Sequence, residues 1–206
     1  GLKERLLLQE SLNVFSLAGV VSLVKRIILI TFIVELFGAA VLAIRWSIEM
    51  PVTKAIYYGI FHSISAFNNA GFGLEPDNLS KWVGDPTVNI MVTLLFITGG
   101  IGFTVILDLF HKRSLRKLSL HSKVVLLMSL ILNIVGPLMI LISEYRNPAT
   151  IGNLQFGDKL WASYFQGVVT RTAGFNTIDI GAMDLSSLVF MMALMFIGAS
   201  SGSTGG

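Results

Sequence analysis

Four long apolar stretches dominate the chain, at residues 27–43, 88–110, 124–142 and 185–197. A helix that crosses a membrane needs roughly 20 consecutive apolar residues, within a range of about 17–25. The first three stretches meet this requirement, and we predict that each forms a membrane-spanning helix. The fourth is too short to span alone, which indicates a half-helix or a helix that breaks within the membrane.

Two further segments, residues 52–74 and 158–177, are neither clean spans nor ordinary loops. Each begins with an aromatic-rich helical pattern and ends in the small-residue sequence Ala-Gly-Phe. Neither is long enough to cross the membrane and return as two helices. Irregular backbone at membrane depth is tolerated only where protein buries it or water wets it. We therefore predict two re-entrant pore helices, each followed by an extended strip.

The composition indicates that lipid surrounds much of the chain. Of the 206 residues, 53% are hydrophobic and 13% are charged, whereas soluble domains carry about 25% charged residues. The chain contains no cysteine, which excludes disulfides and thiolate metal sites. The net charge of +3 is small, and no nucleic-acid partner is expected.

The positions of the charges predict the orientation. Lysine and arginine cluster before the first span and between the second and third, so these segments are predicted to be cytoplasmic. Acidic residues collect on the opposite side, where they would raise the local concentration of cations. They are Glu49, Glu75, Asp77, Asp85, Glu144, Asp158, Asp179 and Asp184. Both Ala-Gly-Phe turns then enter the membrane from the outside.

The order of span, pore loop and span occurs twice. An offset of 103 residues aligns the Ala-Gly-Phe sequences at 70–72 and 173–175. An offset of 100 residues aligns Leu, Phe, Ile and Gly within 94–102 with the same residues within 194–202. Repeats in membrane proteins usually create pseudo-symmetry, with the functional site at the shared axis.

Two glycines occupy the positions where a cation path needs them. A potassium ion must exchange its water shell for other oxygens, and rings of backbone carbonyls can supply these. Glycine permits the unusual dihedral angles that aim successive carbonyls at one axis, and Gly71 and Gly174 stand in the two predicted strips. The pore helices would direct their partly negative carboxyl ends at the ion. Phe72 and Phe175 are expected to wedge the strips against the wall.

A run of glycine, serine and threonine, residues 198–206, interrupts the fourth apolar stretch. Each glycine costs about 1 kcal/mol relative to alanine inside a helix, so this run is predicted to leave the helix. A flexible polar loop below the strips is well placed to block or open the path, and the alternative is a disordered chain end. The corresponding residues 98–102 of the first repeat are expected to remain a kinked helix.

Four segments carry a family resemblance: SAFNNAGFGL from Ser65, FITGGIGF from Phe96, VVTRTAGFNT from Val168 and FIGASSGSTGG from Phe196. They resemble the Ktr/Trk/HKT superfamily of potassium transporters, and most closely the KtrB-type membrane subunits of bacterial Ktr systems. The resemblance implies an all-α membrane protein in which four M1–pore-loop–M2 repeats surround one potassium-channel-like pore with pseudo-fourfold symmetry. The chain would supply the second repeat and most of the third.

The resemblance implies roles for individual residues of this chain. The potassium-binding selectivity filter maps onto Asn68, Asn69, Ala70, Gly71, Arg171, Thr172, Ala173 and Gly174. Backbone carbonyls at Gly71 and Gly174 would hold the potassium ion. The intramembrane gating loop maps onto Gly198, Ala199, Ser200, Ser201, Gly202, Ser203, Thr204, Gly205 and Gly206.

The resemblance also implies potassium uptake across the plasma membrane, the bacterial inner membrane, by a multi-pass protein. Such proteins are homodimers that rest on a cytoplasmic ring of nucleotide-binding regulatory subunits, and sodium often activates transport. Potassium would be the transported ion, and no organic cofactor is expected. Because the first and fourth repeats are not in the chain, we expect it to be an internal portion of a longer protein.

We divide the chain into four parts. Residues 1–26 are expected to form a cytoplasmic interfacial linker helix, and residues 27–110 the first repeat. Residues 111–123 form a basic cytoplasmic loop, in which His111 and His121 are expected to meet lipid headgroups or a partner. Residues 124–206 form the second repeat, which is truncated in the Gly/Ser-rich loop.

Several polar residues lie within the apolar stretches. Glu35 is a functional candidate by default, although a structural hydrogen bond to a neighbouring helix is favoured. Arg171 is expected to point away from the cation path and to pair with an acid. His62 is expected to be packed within the first pore helix. Asn133 and Pro137 are expected to make a satisfied polar contact and a kink in the third span.

Three alternatives stay open. A sodium-permeable or sodium-coupled cation transporter would share this architecture, although glycine at both visible filter positions favours potassium. An intramembrane serine protease could use the small-residue turn around Ser200, but such chemistry needs a base within hydrogen-bond reach, and His62 would have to supply it. A structural subunit without a pore would lack extended strips at the Ala-Gly-Phe turns. We favour the transporter over an enzyme.

Overall fold

The computed structural model describes residues 17–112, 114–171 and 173–205 of the chain. Within these ranges it contains α-helices and short 3-10 helices and no strand, which confirms the predicted all-α class. The helices are α1 (Leu17–Trp46), α2 (Val52–Phe67), α3 (Pro86–Gly100), α4 (Phe103–Lys112), α5 (Leu120–Glu144), α6 (Phe156–Val169) and α7 (Leu185–Ile197). Single 3-10 turns lie at Ser80–Trp82, Leu115–Lys117 and Ile180–Ala182.

Some predicted features fall outside the described residues. They are the part of the linker helix before residue 17, Arg113 of the basic loop, Thr172 of the filter and Gly206 of the gating loop. Helix α1 already begins at Leu17, so residues 17–26 continue directly into the first span. The division of the chain into four parts stays a prediction.

Among the described residues, two helices are each long and apolar enough to cross a membrane, α1 over Val24–Trp46 and α5 over Leu120–Glu144. Large apolar side chains on both helices, such as Phe32, Leu36 and Leu127, are exposed. Exposed apolar surface of this kind suits contact with lipid. Helix α7 is apolar but has only 13 residues, which is shorter than a span, as expected for the fourth stretch.

The second apolar stretch differs from the expected span. It forms two helices, α3 and α4, which meet at an angle of 94°. The expectation that residues 98–102 remain a kinked helix is therefore wrong. Helix α3 ends at Gly100, and Gly102 has a φ of 93°, a backbone conformation that residues with a Cβ rarely adopt.

Local signals fix where several helices begin. Asp85 accepts a hydrogen bond from the main-chain N–H of Val88, and Pro86 occupies the first turn of α3. Ser119 accepts a hydrogen bond from the N–H of Ser122 at the start of α5. Such caps satisfy main-chain donors that have no partner within the helix.

Each pore helix packs tightly against the span before it through small residues. A Cβ at Gly59 of α2 would lie 2.5 Å from the carbonyl oxygen of Ala39 on α1. A Cβ at Gly167 of α6 would lie 2.2 Å from the nitrogen of Pro137 on α5. Glycine lets the helix backbones approach this closely. The same device in both halves agrees with the repeat inferred from the sequence.

The two repeats share one core. Its buried side chains include Trp46, Phe67 and Leu95 from the first repeat together with Phe165 and Phe175 from the second. Helix α3 also packs against α6, the pore helix of the second repeat. This shared core holds the carboxyl ends of the two pore helices beside each other.

Candidate functional site

The first pore helix ends in a cap that directs the chain into the predicted filter. Asn69 has a φ of 51°, and its N–H donates to the carbonyl of Ala66 while the N–H of Ala70 donates to that of Ser65. This pair of bonds is the Schellman motif, in which the residue with positive φ is usually glycine and sometimes asparagine. The helix is therefore complete before Gly71, and Gly71 itself is not a cap residue.

The two predicted filter glycines lie in direct contact. Gly71 has a φ of 72° and Gly174 a φ of 79°. A Cβ at Gly71 would lie 2.5 Å from Cα of Gly174, and a Cβ at Gly174 would lie 3.0 Å from Cα of Gly71. Only glycine fits both the dihedral angle and the contact. The structure thus brings together the two turns that the sequence singled out.

The residues around both glycines have no regular secondary structure, and neighbouring polar groups hold them. Nδ2 of Asn78 donates to the carbonyl of Gly71 at 3.0 Å, and Oγ of Ser65 donates to that of Phe72 at 2.9 Å. The N–H of Leu79 donates to the carbonyl of Asn176 at 3.1 Å, which joins the loop after the first strip to the second strip. Sequence reasoning missed Asn78, although an asparagine after Pro-Asp is a turn signal.

The two phenylalanines behind the strips have unequal surroundings. Phe175 is 1% exposed and its ring stacks on that of His62, a pore-helix residue of the other repeat. Phe72 is 69% exposed. The expected wedge is therefore formed by Phe175 and not by Phe72. Among the described residues, no ring stacks on Phe72 as that of His62 does on Phe175.

The Gly/Ser-rich segment leaves helix α7 at Gly198, whose φ of 64° and ψ of −156° lie in a region open essentially to glycine alone. Through Thr204, the segment contacts the carboxyl end of the first pore helix. Its Oγ1 donates to the carbonyl of Phe67 at 2.7 Å and accepts from Nδ2 of Asn69 at 2.8 Å. The described part of the segment is thus docked beneath the carboxyl end of α2.

The same segment explains the break between α3 and α4. In a continuous helix, the carbonyls of Gly99 and Gly100 would accept hydrogen bonds from the next turn. In this chain they accept from the N–H groups of Thr204 and Ser200, and the N–H of Phe103 donates to the carbonyl of Gly202. The main-chain groups that the break exposes are therefore paired with the docked segment, as buried backbone requires.

In the part of the chain that the structure describes, Arg171 does not pair with an acid, contrary to expectation. Its Nε donates to the carbonyl of Gly198 at 3.2 Å, and one terminal nitrogen donates to Oγ of Ser129 at 3.2 Å. Among the residues that the structure describes, no carboxylate lies within salt-bridge distance of its guanidinium. Asn133 lines a cavity of about 20 Å³ together with Arg171.

Glu35 contacts the same end of the first pore helix. Its Oε1 accepts from Nδ2 of Asn68 at 2.8 Å, and its carbonyl accepts from Oγ of Ser63 at 2.6 Å. This hydrogen bonding within the repeat agrees with a structural role. Asn68 itself is exposed, so it lies beside the contacting strips rather than between them.

The histidine that a serine protease would need is engaged elsewhere. His62 is fully buried among aromatic rings, and its Nδ1 is hydrogen-bonded to the carbonyl of Tyr58 at 2.8 Å. Within the described ranges, no hydrogen bond joins it to Ser200. The arrangement therefore offers no nucleophile–base pair at the small-residue turn.

Known proteins match this chain over nearly its whole length. A family comparison matches residues 2–206 to TrkH, described as cation transport protein. The chain belongs to the TrkH family of cation transport proteins.

Individual relatives agree with this membership. The chain is 52% identical to the Ktr system potassium uptake protein B of Bacillus subtilis, over 99% of this chain and 46% of that protein. It is 37% identical to the potassium/sodium uptake protein NtpJ of Enterococcus hirae, over 98% of this chain and 45% of that protein. The chain thus spans about half the length of the curated relatives it matches.

The crystal structure of the potassium transporter TrkH from Vibrio parahaemolyticus shares the fold. Its TM-score is 0.70 at 21% sequence identity, covering 91% of this chain and 38% of that one. Membership in a transporter family confirms that the chain is not an enzyme. Together with the apolar helices, it identifies the chain as a multi-pass protein of the plasma membrane.

The acids predicted to line an outer vestibule are partly occupied by structural contacts in this TrkH-family chain. Glu144 is fully buried and accepts hydrogen bonds from Thr150, Asn147, Ser187 and the N–H of Asp184. Asn147 and Thr150 follow Glu144 closely in the sequence, whereas Asp184 and Ser187 lie about 40 residues later and could not be predicted as partners. Its carboxylate organises the loop before α7 and is not available to attract cations.

Two more outer acids are tied to one arginine. Arg45 forms ion pairs with Glu49 at 2.7 Å and with Asp85 at 2.5 Å. The Trp82 indole donates to Glu49 at 3.0 Å, and this bond and Arg45 lower the pKa of that carboxyl. These contacts join the turn after α1 to the start of α3.

Proposed function

We propose that the full-length protein takes up potassium across the plasma membrane through a filter of main-chain carbonyls that the Gly/Ser-rich segment gates. Membership in a cation transport family supports this proposal. The potassium uptake named for the Bacillus relative supports potassium as the ion. The observation that carries the proposal is the backbone contact between Gly71 and Gly174 at the ends of two pore helices.

The contact has a consequence for the position of the ion. With the backbones of Gly71 and Gly174 this close, an ion does not fit between the two strips. It would lie to one side, where the carbonyls of both strips and those of two further repeats close a ring. Asn68, Asn69, Ala70 and Gly71 would form one quarter of this filter, and Arg171, Thr172, Ala173 and Gly174 the next.

The gate would be the segment from Gly198 to Gly206. Its docking on Phe67 and Asn69 supports a closed position directly beneath the filter. Opening requires the segment to release these contacts and the main-chain bonds to Gly99 and Gly100. Glycines within the segment supply the backbone freedom for such a movement.

Sodium transport is the second candidate, because the Enterococcus relative is named a potassium/sodium uptake protein. The two candidates differ in what competes for the filter. A potassium filter predicts that excess sodium barely reduces rubidium uptake, whereas a sodium-permeable filter predicts strong competition. Sodium as an activator predicts a third result, which is faster rubidium uptake when sodium is added.

The assembly is also a proposal. The name of the Bacillus relative assigns that protein to a Ktr system, and we infer that the full-length protein works with further components. A homodimer on a cytoplasmic ring of nucleotide-binding regulatory subunits fits this inference. Light scattering of the purified full-length protein would test the dimer, and a monomeric mass in lipid nanodiscs would contradict it.

Rubidium uptake into vesicles by the full-length protein tests the filter. The comparison is wild type against Gly71→Ser and Gly174→Ser, each with and without excess sodium. If the glycine carbonyls select the ion, both variants lose preference for rubidium over sodium. Unchanged selectivity in both variants would remove the filter assignment.

A further inference from the structure

Arg171 lies where three parts of the chain meet. They are the proposed filter, the Gly/Ser-rich segment 198–206, called the gating segment from here on, and helix α5, the third predicted span. It precedes Gly174 by three residues on the turn that leads from α6 into the second strip. Its guanidinium donates one hydrogen bond to the carbonyl of Gly198, the first residue of the gating segment, at 3.2 Å. A second hydrogen bond, also 3.2 Å long, reaches the buried hydroxyl of Ser129 on α5.

The charge of Arg171 favours the docked position of the gating segment over an undocked one. An arginine side chain stays protonated and carries five N–H donors. A partly buried charge without an anionic partner depends on oriented oxygens for its stabilisation. The Gly198 carbonyl is one such oxygen, and it belongs to the segment that would move on opening. The guanidinium therefore stabilises the docked segment more than a segment whose Gly198 carbonyl has moved away.

The surroundings of the guanidinium offer few fixed replacement partners. Arg171 lines a cavity of about 20 Å³ together with Ala199 of the gating segment and Gly100 at the end of α3. A cavity of this size holds about one water molecule. The cavity is partly open, and water that replaced the Gly198 carbonyl would have to be ordered at an entropic cost that the fixed carbonyl does not carry. Movement of Gly198 thus leaves the guanidinium less well stabilised.

We propose that Arg171 is a positioning residue that latches the gating segment closed by tying Gly198 to Ser129 of the third span. This inference rests on the proposed gating function and assigns a device to it. Because Arg171 is also part of the turn before Gly174, the latch links the position of the segment to the inner end of the filter. Neither the ion nor the filter carbonyls need to contact the guanidinium.

The latch predicts an effect that depends on the gating segment. Rubidium uptake is measured in vesicles that contain the full-length protein without activating components, normalised to the amount of monodisperse protein. Arg171→Ala is expected to raise basal uptake about tenfold, because hydrogen bonds from charged groups are about twice as strong as neutral ones. Arg171→Lys keeps the charge but loses the planar guanidinium, whose separate N–H groups reach both Gly198 and Ser129, so an intermediate rise is expected. Arg146→Ala, in an exposed turn at the other end of α5, is the charge-matched control.

Deletion of residues 198–206 separates the latch from other roles. If Arg171 acts through the segment, Arg171→Ala changes nothing further in the deleted background. An equal rise in both backgrounds would overturn the latch, since it would indicate a direct effect of the charge on the pore. No rise in the intact protein would overturn it too. If the deletion alone leaves uptake unchanged, the gating function itself fails, which is a distinguishable result.

A second variant keeps the inference testable if Arg171→Ala does not fold. Ser129→Ala removes one end of the latch and leaves the arginine in place. It is expected to raise basal uptake about threefold and to show no additive effect when combined with Arg171→Lys, since residues in one hydrogen-bond network couple. Wild-type uptake by Ser129→Ala, or simple additivity of the two changes, would contradict the latch.

Discussion

The hydroxyl of Thr204 is the point at which the gating segment touches the first pore helix, and its removal gives a quantitative prediction. The change Thr204→Val keeps the side-chain shape but removes the hydrogen bonds to Phe67 and from Asn69, at 2.7 and 2.8 Å. Each such bond contributes about 0.5–1.5 kcal/mol net. The docked position should thus lose about 1–3 kcal/mol, and the ratio of docked to undocked segment should fall about fivefold to 150-fold.

Basal rubidium uptake by the full-length protein in vesicles reports this ratio, because only the undocked segment would leave the path open. Uptake by Thr204→Val is expected to rise at least about fivefold while selectivity over sodium stays unchanged. Ser203→Ala is the matched control, since the one hydrogen bond of the Ser203 hydroxyl to a described residue goes to the carbonyl of Gly205 within the segment. Wild-type uptake by Thr204→Val, or an equal rise in Ser203→Ala, would refute docking through the Thr204 hydroxyl.

Three further changes probe the rest of the site. Gly99→Ala places a Cβ 2.0 Å from the carbonyl oxygen of Phe67. Despite the higher helix propensity of alanine, this overpacking should destabilise the protein by about 1–3 kcal/mol and lower its Tm in detergent. An unchanged or higher Tm would contradict the close packing. Asn78→Gly is compatible with the φ of 58° at this position but removes the hydrogen-bond donor to the Gly71 carbonyl. Sodium should then compete more strongly with rubidium for uptake. Sodium competition equal to that in wild type would show that Asn78 does not hold the filter carbonyl. Glu144→Gln removes a carboxylate that accepts four hydrogen bonds and should destabilise the protein by about 3 kcal/mol, measured by thermal unfolding. A wild-type Tm would show that the carboxylate does not organise the loop before α7.

The parts of the fold that local sequence determines could be predicted. The spans α1 and α5 follow from the length of their apolar stretches, and the end of α7 follows from the glycine at 198. The two pore turns follow from Ala-Gly-Phe after an aromatic helical pattern. In each case the chemistry that decides the structure lies within one short stretch of chain.

The parts that depend on distant contacts could not be predicted. The break between α3 and α4 arises because the carbonyls of Gly99 and Gly100 bond to a segment about 100 residues later in the chain. The partners of Arg171 are a main-chain carbonyl and a serine, neither of which carries a charge signal. Phe72 and Phe175 follow the same Ala-Gly sequence, but within the described ranges only Phe175 stacks on a pore-helix ring of the other repeat, so their burial differs.

The most direct measurement is the position of a potassium substitute in the full-length protein. Thallium scatters anomalously and can replace potassium, so diffraction from crystals grown with thallium would locate the ion. We predict a peak beside the contact of Gly71 and Gly174, coordinated by main-chain carbonyls of both strips. A structure that lacks a peak there, or that places thallium only on side-chain carboxylates, would contradict a carbonyl filter at these glycines.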